Sequence, residues 1–212
     1  KKIVSGTTLY RIVALKAFKN VKKGDKGGFV GSEFNLSYDD NCWISGNAYV
    51  YGNAYVYGDA HIYGNAYVSG DARIYGNARV SGNARVSGNA YVYGNAYVYG
   101  NAYVSGDASI YGNARVSGNA YVYGNAYVYG NAYVYGSACV YGSACVYGSA
   151  CVYGSACISG NAYVSGKFPV ITLMMLHDNG YDVTITNKHI KIGCEQHTIK
   201  EWFEFSDSEI RL

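Results

Sequence analysis

The sequence predicts an all-β fold, a single-stranded β-solenoid of stacked coils, on three observations. One six-residue phrase recurs twenty times without interruption from residue 44 to residue 163. Inside each phrase the order small, large, aliphatic, large follows the two-residue period of a strand. A Gly stands at the same place in every copy, where a tight corner needs it.

The phrase reads aliphatic, Tyr or Ser, Gly, Asn/Asp/Ser, Ala, then a variable residue, as in Val50-Tyr51-Gly52-Asn53-Ala54-Tyr55. Repeats of fixed period are units too small to bury a core alone, so they stack. Six residues cannot make a helical repeat, whereas Tyr and Val favour a pleated surface. Gly is never replaced at the corner, while Asn gives way to Ser in four copies, so Gly carries any left-handed backbone angle. Alternation puts the Ala and the Val or Ile on one side. That small, uniform side fits a narrow interior, and Tyr, Arg, Ser and Cys face out. Stacked coils about 4.8 Å apart align equivalent side chains into ladders.

The phrases Val-Ser-Gly-Asn-Ala-Arg and Ile-Tyr-Gly-Asn-Ala-Arg, from Val80 and Ile74, resemble the hexapeptide repeat of the LpxA-like left-handed β-helix superfamily. That resemblance implies a left-handed, three-sided coil of eighteen residues, against the usual right-handed crossover. Periodicity by itself gives the six-residue strand and leaves a two-sided, twelve-residue coil open.

Three segments follow: an N-terminal cap and irregular first coil at 1–43, the hexapeptide solenoid at 44–166, and a C-terminal β-hairpin plus helix cap at 167–212. In the first, residues 9–15 read as a strand and residues 22–28 as a charged, Gly-rich turn. Val30 and Leu36 are six apart, which starts a first coil near Gly28; Ile44 comes eight after Leu36, a two-residue expansion. Charged residues at the outer edge discourage pairing with another strand. Pro169, the only proline, marks a composition change. Residues 170–176 and 181–192 read as strands joined by Asp178-Asn179-Gly180, a hairpin signal. Thr198-Ile199-Lys200-Glu201 has capping-box spacing and opens a short helix with Trp202, Phe203 and Phe205. Ser206 to Glu209 has the look of a second helix start. Residues 9–15, 27–37 and 190–202, with the repeats, resemble the YdcK-like uncharacterised proteins of bacteria and phages, a family that implies no activity and hints at a phage setting.

Net charge is +3 and the repeats hold four Arg and three Asp, so no basic stripe argues for nucleic acid. No apolar run is long enough to span a membrane. Lys16, Lys19, Lys22 and Lys23 interrupt any signal-peptide pattern. A cytoplasmic setting is the default expectation, with surface or extracellular assembly also open.

On an eighteen-residue coil, Tyr57, Tyr75, Tyr93, Tyr111, Tyr129 and Tyr147 fall at one equivalent position and form an unbroken file. Other positions mix Tyr with Ser, as in Tyr63, Ser81, Tyr99, Ser117 and Tyr135. The plain reading is that Tyr suits exposed strands, its rings stacking while hydroxyls stay wet. The sharper one is that so large an aromatic surface marks an interaction site. The partner expected is the protein itself, as an oligomer or fibre. End-to-end growth is open too, should a cap swing aside. Cys139, Cys145, Cys151 and Cys157 share a Tyr-Gly-Ser-Ala-Cys lead. On this coil only Cys139 and Cys157 stack, which defeats a four-thiolate zinc site. They read as small outward thiols, with covalent or metal links between molecules as the alternative.

Catalysis is not expected. The acyltransferases that share the resemblance use a His near a cleft and long projecting loops, but the repeats hold only His61, a solvent-exposed ladder member by this reading, and no loop interrupts them. His189, Cys194 and His197 have loose spacing and lack a fourth ligand; packing explains them better than a metal. Glu201 reads as a helix cap rather than a base. No cofactor is expected. The function that emerges is a non-catalytic structural or assembly module. A surface-binding module for ice or a polysaccharide, or an acyltransferase, are the alternatives.

Overall fold

The structure, a computed structural model, describes residues 1–165, 169–170, 183–185, 188–192 and 195–206. From Trp43–Ile44 onward, two-residue strands alternate with Gly-bearing corners. Each strand pairs in parallel with the one eighteen residues on, as in Val50 with Val68 and Val92 with Ile110. Three parallel stacks result, in sheets that hold ten, eight and seven strands among the described residues, the ten including the antiparallel N-terminal strands. The coil is therefore three-sided with eighteen residues, and the twelve-residue alternative is excluded.

The interior follows from the alternation. Every repeat Ala and every repeat Val or Ile from Ile44 to Ile158 has no exposed surface. Backbone bonds run coil to coil, for example from the Tyr57 N–H to the Ile74 carbonyl at 3.0 Å and from the Asn95 N–H to the Gly112 carbonyl at 2.7 Å. Corners need Gly twice over. Gly88 has φ of +67°, and a β-carbon there would lie 2.8 Å from the Gly106 nitrogen on the next coil.

The N-terminal segment extends one face. Strand β1 (Lys2–Val4) and strand β2 (Thr7–Val13) form an antiparallel hairpin through Ser5 and Gly6, both at positive φ. Strand β2 covers residues 7–13 rather than 9–15, because the hairpin pairs Thr7 with Val4. Strand β3 (Lys26–Val30) pairs antiparallel with β2 and parallel with Tyr49–Val50. Val30 matches Val50 and Leu36 matches Val56, twenty residues apart, whereas Ile44 matches Ile62 at eighteen. The two-residue expansion after Leu36 is real. Asn35, 1% exposed, locks this first coil. Its Oδ1 accepts from the Gly31 and Ser32 N–H groups, and its Nδ2 donates to the Gly52 and Ala54 carbonyls.

Beyond Tyr163–Val164, the strand Pro169–Val170 still pairs with Cys151–Val152, so one face of the solenoid continues past the composition change. The expected strand at 181–192 is instead two strands, Val183–Ile185 and His189–Ile192, paired with each other. Glu195–Thr198 adds a third antiparallel strand. Helix α1 (Ile199–Glu204) opens with the expected capping box: the Thr198 hydroxyl accepts from the Glu201 N–H, and the Glu201 carboxylate accepts from the Thr198 N–H. The Asp178-Asn179-Gly180 turn, Cys194 and the second helix start past Ser206 lie outside the described residues.

Candidate interaction surface: the outer ladders

The corner position after each buried aliphatic carries the aromatic file. Tyr57, Tyr75, Tyr93, Tyr111, Tyr129 and Tyr147 stack in unbroken succession, with centroids 4.7, 4.8, 4.9, 4.8 and 5.3 Å apart and planes within 10° of parallel. The spacing is the coil rise, imposed by the backbone hydrogen bonds. Shorter stacks stand at the other two corners, Tyr123 on Tyr141 at 5.0 Å and Tyr135 on Tyr153 at 5.3 Å.

Stacking changes what the file exposes. All six rings are half-buried, since each covers its neighbours' faces. The file therefore offers ring edges and hydroxyls, not the broad apolar face expected from the sequence. Burial pushes the phenols of Tyr57, Tyr75, Tyr93, Tyr111 and Tyr129 above the ordinary tyrosine value, and Tyr57 and Tyr93 press Tyr75 in the same direction.

Open ring faces occur elsewhere. Tyr121, Tyr127 and Tyr133 are 48, 42 and 36% exposed. Their partners on the next coil are Cys139, Cys145 and Cys151. A thiol is too small to cover a phenol, so the cysteine coil leaves a step around the rod with an aromatic ring above it on each face. With Tyr123 and Tyr135, also exposed, these residues form a belt.

Two further ladders fill the surface. Side-chain amides run from Asn65 through Asn83 and Asn101 to Asn119, each Nδ2 donating to the next Oδ1 at 3.0 to 3.3 Å. A second run joins Asn77, Asn95, Asn113 and Asn131. Arg73, Arg85 and Arg115 lie over the rings of Tyr91, Tyr67 and Tyr133 at 5.7, 5.5 and 5.3 Å, replacing missing aromatic rungs by cation–π contacts.

A complementarity went unread in the sequence. At three corners where the residue is Ser, the outward residue sixteen later leans across it. Ser45 pairs with His61 at 3.0 Å, Ser81 donates to the Tyr97 hydroxyl at 3.1 Å, and Ser87 to the Tyr103 hydroxyl at 3.4 Å. Tyr97 also shares a hydroxyl contact with Tyr63. The signal was there: a small corner paired with a large residue at a fixed offset. His61 is consequently half-buried rather than solvent-exposed, and burial, then Arg79 and Lys19, lowers its pKa. Tyr49 is not outward-exposed either. It is 4% exposed, beside Phe29, with Lys2 at its hydroxyl.

Of the four repeat thiols, Cys139 and Cys157 are in register on one face, while Cys145 sits beside Tyr163 and Cys151 beside Pro169 on the others. All are free and half-buried. Cys42 was not singled out from the sequence. It is 3% exposed, and burial pushes its thiol up to about 11. His197 packs edge-on against Trp202 and Phe205 and lies 3.5 Å from Glu195.

An apolar cleft of about 680 Å³ opens at the N-terminal end, floored by Ile12, Phe18, Leu36, Cys42 and Trp43. It lies where β1 and β2 extend only one of the three faces. Among the described residues no helix is long and apolar enough to cross a membrane.

The geometry defines a β-solenoid repeat protein with stacked aromatics on its surface. The family described as YdcK Beta solenoid repeat matches residues 72–88, 78–94 and 108–124, so the central coils are similar to that repeat. A comparison with curated protein sequences gives no match.

Proposed function

We propose that this chain is a non-catalytic structural module whose outer aromatic ladders bind further copies of itself side by side, in an oligomer or a longer fibre. One observation carries the reading: six phenols at one position form a continuous stack across six coils. Any partner with the same rise meets such a stack rung for rung, and a second copy has that rise by construction. Contacts that are each weak then add along the length. The ring edges and hydroxyls of Tyr57 to Tyr147 supply regular polar contacts, and the open faces of Tyr121, Tyr127 and Tyr133 supply apolar area. Kinship with the left-handed hexapeptide proteins is supported by the repeat phrase and its three-sided, eighteen-residue coil. A rod without interrupting loops suits scaffolding better than turnover.

Electron microscopy of the purified chain tests this. Laterally paired rods, trimers or fibres support it; isolated short rods at every concentration contradict it.

The amide ladders favour a second reading, a surface that grips a repetitive polymer or ice. Each inner Asn of a ladder spends one donor and one acceptor on its neighbours and keeps the rest for a partner of matching repeat. Co-sedimentation with insoluble polysaccharides and a freezing-hysteresis measurement separate it from self-assembly.

A further inference from the structure

Cys139 and Cys157 are register partners on adjacent parallel strands, and both are free. Equivalent outward side chains on neighbouring strands leave the sheet side by side, about 4.8 Å apart. A disulfide needs its β-carbons closer, about 3.8 Å apart, so direct sulfur–sulfur bonding pulls against the ladder. A metal between two thiolates fits without that distortion. With the zinc–sulfur length of about 2.3 Å as the scale of a metal–thiolate bond, two such bonds laid end to end separate the sulfurs by about 4.6 Å.

The rest of the surface restricts which metal. Cys145 and Cys151 leave from the other two faces, so among the described residues no third or fourth thiol converges. Among the described residues, no group of three or more His, Cys, Asp or Glu side chains gathers anywhere. Zinc, which takes four tetrahedral ligands in structural sites, is not served by two. Soft monovalent cations accept two thiolates in a line, and thiolate is the ligand they prefer. The Tyr123–Tyr141 stack stands at the neighbouring corner.

We propose that Cys139 and Cys157 bind one Cu(I) or Ag(I) ion as a linear sulfur–metal–sulfur bridge between two successive coils. Binding displaces both thiol protons: one monovalent cation and two thiols give a dithiolate complex of charge −1 and two protons. No electron is transferred. The bridge clips adjacent coils together near the C-terminal end of the solenoid, within one molecule rather than between molecules.

The test is an anaerobic titration of the reduced full chain with Cu(I) against a chromophoric Cu(I) chelator. Ser109 already occupies the same phrase position as these cysteines, above a fully buried Ile110, so Cys→Ser changes are compatible with the coil. Wild type and the C145S/C151S double variant are expected to hold one Cu(I) per chain with equal affinity. C139S and C157S are each expected to bind at least tenfold more weakly. Equal affinity in C139S and wild type overturns the proposal. So does loss of the site in C145S/C151S, which points to thiols shared between molecules. X-ray absorption on the Cu(I)-loaded wild type needs no variant: two collinear sulfur neighbours are expected, and three ligands, or a nitrogen ligand, overturn the proposal.

Discussion

Tyr75 and Tyr93, eighteen residues apart in the chain, stack with centroids 4.8 Å apart and planes 1° from parallel. Neither ring chose that distance. The Tyr75 N–H bonds the Val92 carbonyl and the Tyr93 N–H the Ile110 carbonyl, and this ladder sets the rise. The aromatic surface is thus a read-out of the backbone, and perturbing the backbone perturbs the surface.

The corner glycines bear most of that constraint. Gly88→Ala forces a β-carbon to 2.8 Å from Gly106 and an L-residue into the left-handed region. A loss of about 2–4 kcal/mol is expected from the backbone strain and the close approach together. Asn89→Ser, one residue on, is expected to cost less than about 1 kcal/mol, because only the exposed bond to Asp107 is lost and Ser stands there in four other copies. Urea denaturation of both variants checks the contrast.

The interior tolerates neither direction of volume change. Val92→Ala is expected to cost about 2 kcal/mol through lost burial and a cavity. Ala90→Leu is expected to cost about 1–3 kcal/mol through overpacking, since Ala90 has no exposed surface in a narrow tube. Thermal melts of both report it.

Asn35 is the staple of the first coil. Asn35→Ala leaves two amides and two carbonyls without their partner. A loss of about 2–4 kcal/mol is expected, from buried polar groups left unpaired. Hydrogen exchange is expected to speed up in residues 1–43 while the central coils keep their protection. Uniform acceleration along the rod contradicts a local staple.

Alkaline titration reads the tyrosine file. The folded phenols of Tyr57, Tyr75, Tyr93, Tyr111 and Tyr129 lie above their unfolded value. Their contribution to stability is therefore full below the unfolded value, near about pH 10, and is lost as pH rises through the folded values. Ultraviolet absorbance is expected to show late, spread-out phenol ionisation, with denaturation midpoints falling over the same window. Phenols that titrate together at the free-tyrosine value contradict the stack.

Much of this was legible beforehand because one phrase repeats. The invariant Gly46 to Gly160 corners, the Ala and Val interior, the Tyr57 file, the expansion between Leu36 and Ile44 and the Thr198–Glu201 box all follow from spacing. The number of sides did not, since the period fixes a strand and a corner but not how many corners close a coil. Exposure was also misjudged. The sequence shows that Tyr75 points out, but only the stack shows that its neighbours cover it, and only the register shows Cys139 uncovering Tyr121. Asn35 and Cys42 were missed because they sit outside the repeat, where no period marks them.

The claim that the aromatic surface binds another copy is tested most directly by sedimentation velocity across a concentration series. Wild type is compared with a Y121S/Y127S/Y133S variant, which keeps the Ser already tolerated at position 109. Wild type is expected to shift to dimers, trimers or larger species as concentration rises, with the variant needing at least tenfold more protein. A wild type that sediments as a monomer throughout contradicts the account.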